Sequence, residues 1–472
     1  MTAPVASVAG WAAADIARAV RSRQISPVQV LEEHLVRLHQ LNGHLNAVVA
    51  ERAVAARTDA RELERRLASG QQVGPLAGVP FTAKDVLATA DLPTTCGSAA
   101  VVQLRPAVDA TAVARIRAAD GILIGKTNCP EFALGIDTVN ELYGRTRNPL
   151  GPFTPGGSSG GESSAVAAGM SALGLGSDYG GSIRWPAQCT GLVGLRPTVG
   201  RVPGTGQLPA EAPYVPNPRT LQGQVQVIGP LARSVRDVSL AMTVLSGPDG
   251  IDASVTPAPW RDSAHVRPDR LELRWGTDLA GFNVDREVGD VVAAAVKALQ
   301  RVGVRSEHGL PPALSLAADV YSGIRDADPL AEIEAAAAGR EDMLGTGIRS
   351  LLDRRQPTSE RRLVELWAAR SRLRAELAGW LYGERLLVLP VALVAPFDPT
   401  NGVSNVRGQQ LTGFDVLTPC RVVSLFGLPS LSVPFGRSTT GAPLSVQLVA
   451  PAFREDLVLG VGSLLEDARK SR

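Results

Sequence analysis

The sequence predicts an α/β fold, with a mixed β-sheet core sandwiched between helices. Helical periodicities and short apolar runs alternate along the chain, which implies stacked layers around a largely parallel or mixed sheet. Hydrophobic residues make up 44% of the 472 residues, ordinary for a globular chain with a large core. No internal repeat and no low-complexity tail interrupts the alternation.

The elements follow in order. The N-terminal part reads as helical. Ser26-Pro27-Val28-Gln29 fits a capping box with proline at the first helical position, and Leu31, His34, Leu35 and Leu38 recur at helical spacing. A second helix covers residues 51–68 and stops near Gly70. Residues 79–84 read as a short buried strand with Lys84 at its end, 110–119 as a helix and 122–125 as a strand. Residues 162–169, rich in Ala and Ser, read as a helix that starts just after a glycine cluster. Residues 200–224 are rich in Pro and Gly and read as irregular, and 247–270 as a long connection. Residues 285–303 and 360–379 are helical by pattern. Buried strands are expected at 386–395 and 430–434; a strand at 444–449 and a helix at 453–468 close the chain. Composition shifts mark no sharp boundary, so one unit spanning 1–472 is expected.

Charge excludes some functions. The net charge of +2, with both signs mixed along the chain, offers no electrostatic grip on nucleic acid or an anionic membrane. No apolar run reaches the roughly 20 residues of a membrane span, and the N-terminus lacks the pattern of a signal peptide. Cys96, Cys129, Cys189 and Cys420 lie far apart, without CxxC or Cys/His spacing. They imply neither a metal site nor a disulfide framework, but free thiols in a reducing cytoplasm. Lysine is confined to Lys84, Lys126, Lys297 and Lys470 against a large excess of arginine. That bias suggests a GC-rich bacterial genome. Arginine stays protonated up to roughly pH 12 and cannot act as a base, so a lysine inside an apolar segment is a chemical candidate.

Two glycine-rich runs imitate nucleotide motifs. GILIGKT at 121–127 resembles a phosphate loop, but the first glycine is misplaced by one, with Asp120 at the required position. Gly174, Gly176 and Gly180 are spaced one residue too long for a dinucleotide fingerprint. The histidines are equally uninformative. His34, His39, His44, His265 and His308 lie outside every glycine- or serine-rich motif, and His34 and His39 are expected on a helix, partly exposed.

The informative run is GGSSGGESSAVAAGMSALGLGSDYGGSIR, residues 156–184. It holds glycine-bracketed serines at Ser158 and Ser182, 24 positions apart, joined by a stretch that packs Val166, Met170, Leu173 and Leu175. Glycines around a serine let backbone N–H groups turn inward and allow a close approach, so one site built from two loops is expected. A serine nucleophile needs a base, and without a suitably placed histidine the candidates are Lys84 and the second serine. Burial would lower the pKa of Lys84 enough for it to serve. The alternative is a strand-end lysine paired with Asp85 at the surface.

These motifs resemble the amidase signature family of serine hydrolases. The resemblance lies in GPLAGVPFTAKD, in GKTNCPEF, in residues 154–198 from TPGGSSGGESS to GLVGLRPT, in GPLARSVRD, and in GLPSLSVPFG with PLSVQLVAP. It covers most of the chain and is weakest over about 250–425, which reads as a variable, substrate-shaping region. It implies the family fold and a Ser-Ser-Lys triad: Ser182 as nucleophile, Ser158 as bridging serine after a cis Gly157–Ser158 bond, Lys84 as base. It further implies an oxyanion hole from the backbone N–H groups of Tyr179, Gly180, Gly181 and Ser182, with Asp178 and Arg184 paired to hold the loop and Ser159 supporting it. Thr154, Asn148 and Glu131 match family positions and are assigned to structure. Tyr179, the Pro390-Val391 pair and residues 210–222 depart from the family pattern and are candidate pocket-shaping positions. The implied reaction is hydrolysis of an amide to a carboxylate and ammonia or an amine, on a small-molecule substrate, without metal or cofactor. The A subunit of a tRNA-dependent glutamine amidotransferase, and an esterase or acyl-transferring enzyme on the same triad, are the alternatives. The oligomeric state is open, a homodimer included.

Overall fold

The computed structural model describes residues 7–471 except 210–214, 219, 280, 329, 356–357 and 402–404. An eleven-stranded sheet runs through it. In chain order its strands are β1 (Val48–Glu51), β2 (Pro80–Lys84), β3 (Ile122–Thr127), β4 (Leu173–Asp178), β5 (Val193–Arg196), β6 (Val227–Ala232), β7 (Glu272–Trp275), β8 (Arg305–His308), β9 (Arg385–Pro390), β10 (Ser430–Arg437) and β11 (Pro443–Val449). Their spatial order is β1-β3-β2-β4-β6-β5-β10-β11-β9-β7-β8. The strands β3, β2 and β4 are parallel neighbours, as are β9, β7 and β8; antiparallel pairs join these two groups and attach β1. The sheet is therefore mixed, as expected.

The sheet is buried on both faces because its inner strands are apolar at successive positions. In β9, Leu386 and Val388 join one core with residues of helices Val235–Leu245, Arg286–Arg301 and Glu455–Lys470. Leu387 and Leu389 join the opposite core with residues of helices Ala313–Ala327, Glu360–Trp380 and Thr418–Phe426. Alternate side chains of a strand point to opposite faces, so the run LLVLP fills both layers. The strand expected over 386–395 stops at Pro390, earlier than its composition suggests.

Other boundaries follow local chemistry. Ser26 caps the helix Pro27–Leu45, its Oγ accepting from the N–H groups of Val28 (3.0 Å) and Gln29 (3.4 Å). Gln29 does not complete the box; its Nε2 donates to Glu33 Oε1 at 3.3 Å. His34, expected to be partly exposed, is wholly buried, with Nδ1 2.8 Å from Val30 O. Burial lowers its pKa to about 4, so it is neutral. The four cysteines are free and buried. Among the described residues no helix is long and apolar enough to cross a membrane. Part of the 210–222 segment, residues 210–214 and 219, lies outside the described residues; Leu221–Val225 forms a short helix.

Candidate active site

Parallel pairing brings two strand ends together. Ala83 of β2 faces Lys126 of β3 and Leu175 of β4, so Lys84 and Ser177 emerge at the same carboxyl edge. Ligand sites in such sheets form at that edge, where the chain leaves the strands. Beyond β4 the turn Tyr179–Ile183 carries Ser182 and leads into the helix Arg184–Thr190. A second loop brings Ser158 in front of the helix Gly160–Ala167, and its Gly157–Ser158 peptide bond is cis. A Cβ on Gly157 would fall 2.5 Å from Gly135 O, so a side chain there would collide with backbone.

Lys84 is wholly buried, with Nζ 2.6 Å from Ser158 Oγ and 2.9 Å from Ser177 Oγ. The surface pairing with Asp85 does not occur. Asp85 is itself buried, 3.3 Å from Lys126 Nζ, and accepts a hydrogen bond from the Thr95 hydroxyl. Burial lowers the pKa of Lys84 to about 8, and the nearby Asp178 carboxylate pulls back only part of the way. Ser158, Ser177 and Ser182 share one cavity of about 760 Å³ with Tyr179 and Gly180. The two serine loops are tied by backbone: Ser159 N–H donates to Ser182 O at 3.2 Å, and Ser159 Oγ lies 3.3 Å from Ser177 O.

The Ser182 turn is held by a buried ion cluster. Asp178 Oδ1 accepts from Arg184 Nη2 (2.8 Å) and Gly181 N–H (2.9 Å), and Oδ2 from Ile183 N–H (3.1 Å) and Arg184 Nε (3.0 Å). Arg196 Nη1 adds a bond to Asp178 O at 2.7 Å. Burial alone would raise the Asp178 carboxyl; Arg184 and Arg196 overcome it and hold it far below the usual range. Arg184 reaches on to Cys420 O (3.0 Å), Gln447 Oε1 (2.6 Å) and Ser424 Oγ (2.8 Å), which fixes the turn against the C-terminal half. Gly181 has φ 123°, a backbone state that favours glycine, and a Cβ there would sit 2.9 Å from Cys420 Cβ.

Sequence pattern does not single out Ser177 or Glu162. Ser177 stands directly before Asp178, and only the parallel register shows that it faces Lys84. Glu162 carries no signal beyond its place in a helical segment. It is buried, accepts from the Thr82 and Thr127 hydroxyls at 2.7 Å each, and burial pushes its pKa up to about 8. Asn148, Thr154 and Glu131 make structural bonds: Asn148 Nδ2 donates to Thr154 O at 3.0 Å, and Glu131 accepts from Ser98 Oγ and Gly345 N–H. Tyr179 and Gln222 line the cavity. Val391 packs behind it, its carbonyl accepting from the Cys420 thiol.

The family profile described as Amidase matches residues 29–459. The chain belongs to the amidase signature family. It is similar to the A subunit of glutamyl-tRNA(Gln) amidotransferase from Acidothermus cellulolyticus, 33% identical across 98% of this chain and 94% of that protein. It is nearly as similar to an indoleacetamide hydrolase of Bradyrhizobium diazoefficiens, 32% identical across 98% of this chain and 87% of that protein. Among solved structures, a 6-aminohexanoate cyclic dimer hydrolase complexed with substrate superposes with a TM-score of 0.84 at 30% identity, covering 97% of each chain. A bacterial aryl acylamidase of the same family gives a TM-score of 0.85 at 27% identity, covering 97% of this chain and 96% of its own. Enzymes of this family act on C–N bonds.

Proposed function

We propose that the protein hydrolyses a carboxylic amide through an acyl-enzyme on Ser182. The observation that carries this reading is the contact of Lys84 Nζ with Ser158 Oγ at 2.6 Å, in a buried setting that opens onto the Ser182 cavity. Desolvation favours the neutral amine, and a neutral amine accepts a proton. Ser182 Oγ attacks the amide carbonyl carbon. Its proton moves to Ser158 Oγ while the Ser158 proton moves to Lys84 Nζ. The tetrahedral oxyanion lies against N–H groups of the turn. Gly181 N–H is already engaged by Asp178 Oδ1, so in this reading Tyr179, Gly180 and Ser182 are the donors among the four expected N–H groups. The C–N bond then breaks as the relay returns the proton to the leaving nitrogen. Water attacks the Ser182 ester along the same path and releases the carboxylate. Asp178, Arg184 and Ser159 hold the two loops and touch no reacting atom. Residues of the 250–425 region, among them Arg325, Asp326, Phe414 and Arg421, wall the cavity and set the substrate.

Ammonia or amine release from a panel of aliphatic, aromatic and amino-acid amides tests the reading. Ser182→Ala is expected to lower kcat by about 10⁴- to 10⁶-fold. Lys84→Arg should cost at least about 10²-fold, because arginine cannot take the proton. An active Lys84→Arg enzyme removes the lysine from the base role. The second reading, the ammonia-releasing component of a tRNA-dependent amidotransferase, is favoured by the similarity to that protein in Acidothermus. It predicts glutamine as the ammonia source, with turnover that rises when the other components of the complex are added.

A further inference from the structure

Arg421 belongs to the helix Thr418–Phe426 and lies against the Ser182 turn. A Cβ on Gly180 would be 3.1 Å from Arg421 Cγ and 3.6 Å from its Nε. The residue is only 8% exposed and lines the same cavity as Ser158 and Ser182. Its Nη1 is buried without a hydrogen-bond partner, and among the described residues no carboxylate pairs with it. Its Cζ lies over the Phe414 ring, 3.1 Å from the centroid, and Arg325 Cζ lies 3.4 Å from the same centroid.

The acids of this wall are already committed. Asp326 pairs with Arg325. Asp328 accepts from the N–H groups of Leu221 (2.8 Å) and Leu330 (3.0 Å). Burial lowers the Arg421 pKa to about 9, so the guanidinium is still charged at neutral pH. The Phe414 ring attracts that charge but offers no acceptor in the plane of the fork. An unpaired buried guanidinium is costly, and a carboxylate is the group whose two oxygens match it. Arg354 on the same cavity adds to the positive field, while Arg355 is paired with Glu334 at 3.1 Å.

We infer that the substrate carries a carboxylate that docks on Arg421, so that this enzyme acts on amides that are also acids. The class includes monoamides of dicarboxylic acids and N-acyl amino acids. The inference rests on the amide-hydrolase reading above and specifies its substrate.

Matched pairs test it: succinamate with butyramide, glutaramate with pentanamide, and N-butyrylglycine with its N-methylamide. The wild-type kcat/KM should favour the acid of each reactive pair by at least about 30-fold. Arg421→Gln should collapse that ratio toward one, and Arg421→Lys should keep part of it. Equal wild-type rates within the pairs, or an unchanged ratio in Arg421→Gln, overturn the inference. Should Arg421→Gln fail to fold, the wild-type ratio and the Lys variant decide. Isothermal titration of glutaramate into Ser182→Ala, which lacks the nucleophile, reads binding without turnover. Glutaramate binding with no hydrolysis of any pair upholds the carboxylate site and sinks the hydrolase reading. Hydrolysis of the neutral amides alone does the reverse.

Discussion

In the proposed relay Lys84 acts in its neutral form, buried beside hydroxyls that can give it a proton. Burial lowers its pKa from the ordinary value to about 8, so at pH 6 most molecules hold the ammonium form. Proton uptake by Lys84 then requires the deprotonated fraction, and kcat/KM should rise about tenfold per pH unit below that point and level off above it. A pH–rate profile from about 5.5 to 9.5 checks this; a flat profile in the chemical step removes the lysine from the relay. At this scale the sequence was informative where residue type limits the chemistry. Four lysines among many arginines, and serines bracketed by glycine, made Lys84, Ser158 and Ser182 candidates, and only the resemblance to the family divided the roles among them. It was silent on Ser177, because a serine inside a strand carries no signal until the neighbouring strand is placed. It misjudged His34, whose burial depends on what covers its helix.

The strand–turn–helix unit made of β4, the Ser182 turn and the helix Arg184–Thr190 works as one element. Asp178 at its strand end receives two guanidiniums and the N–H groups of Gly181 and Ile183. Replacing it with asparagine keeps the shape but leaves Arg184 and Arg196 buried without a countercharge. Asp178→Asn should therefore destabilise the fold by about 3–5 kcal/mol, read by chemical denaturation, and lower kcat as the turn loosens. Unchanged stability would show that Gln447, Ser424 and the carbonyls around Arg184 suffice. Elements with strong apolar period were legible: β2, β3, β11 and the helices Arg286–Arg301 and Glu360–Trp380 fall within a few residues of their expected bounds. β8, with the sequence RSEH, was not, since an edge strand that faces water needs no apolar pattern. The helix Thr418–Phe426 was equally illegible; its nine residues are shorter than the window over which a helical period can be read.

Across the whole molecule, the proposed catalytic arrangement and the stability of the fold pull against each other. The unfolded Lys84 titrates near 10.5 and the folded one near 8, so between these values the unfolded chain holds more protons and stability rises with pH. Below pH 8 the full cost of the buried ammonium is present. Lys84→Met, which fills similar space without charge, should melt higher than wild type at about pH 7 while losing activity, and its advantage should shrink between about pH 8 and 10.5. Calorimetry near pH 7 and near pH 10 checks both signs; a lower melting temperature at neutral pH would mean that the bonds to Ser158 and Ser177 outweigh burial. The sequence by itself determined the α/β class and the family and marked the candidate residues for the chemistry, because local pattern, motif and residue type carry that information. Only the tertiary structure decided the strand order that joins β2 to β4, the contact of Lys84 with Ser158 and Ser177, and the approach of Arg421 to the Ser182 turn. Each of those joins residues far apart in the chain, by 74 positions for Lys84 and Ser158, by 93 for Lys84 and Ser177 and by far more for Gly180 and Arg421, and depends on which layers pack together. The glycine-bracketed serines could announce a candidate site, but its proposed base and its charged wall come from other layers of the fold.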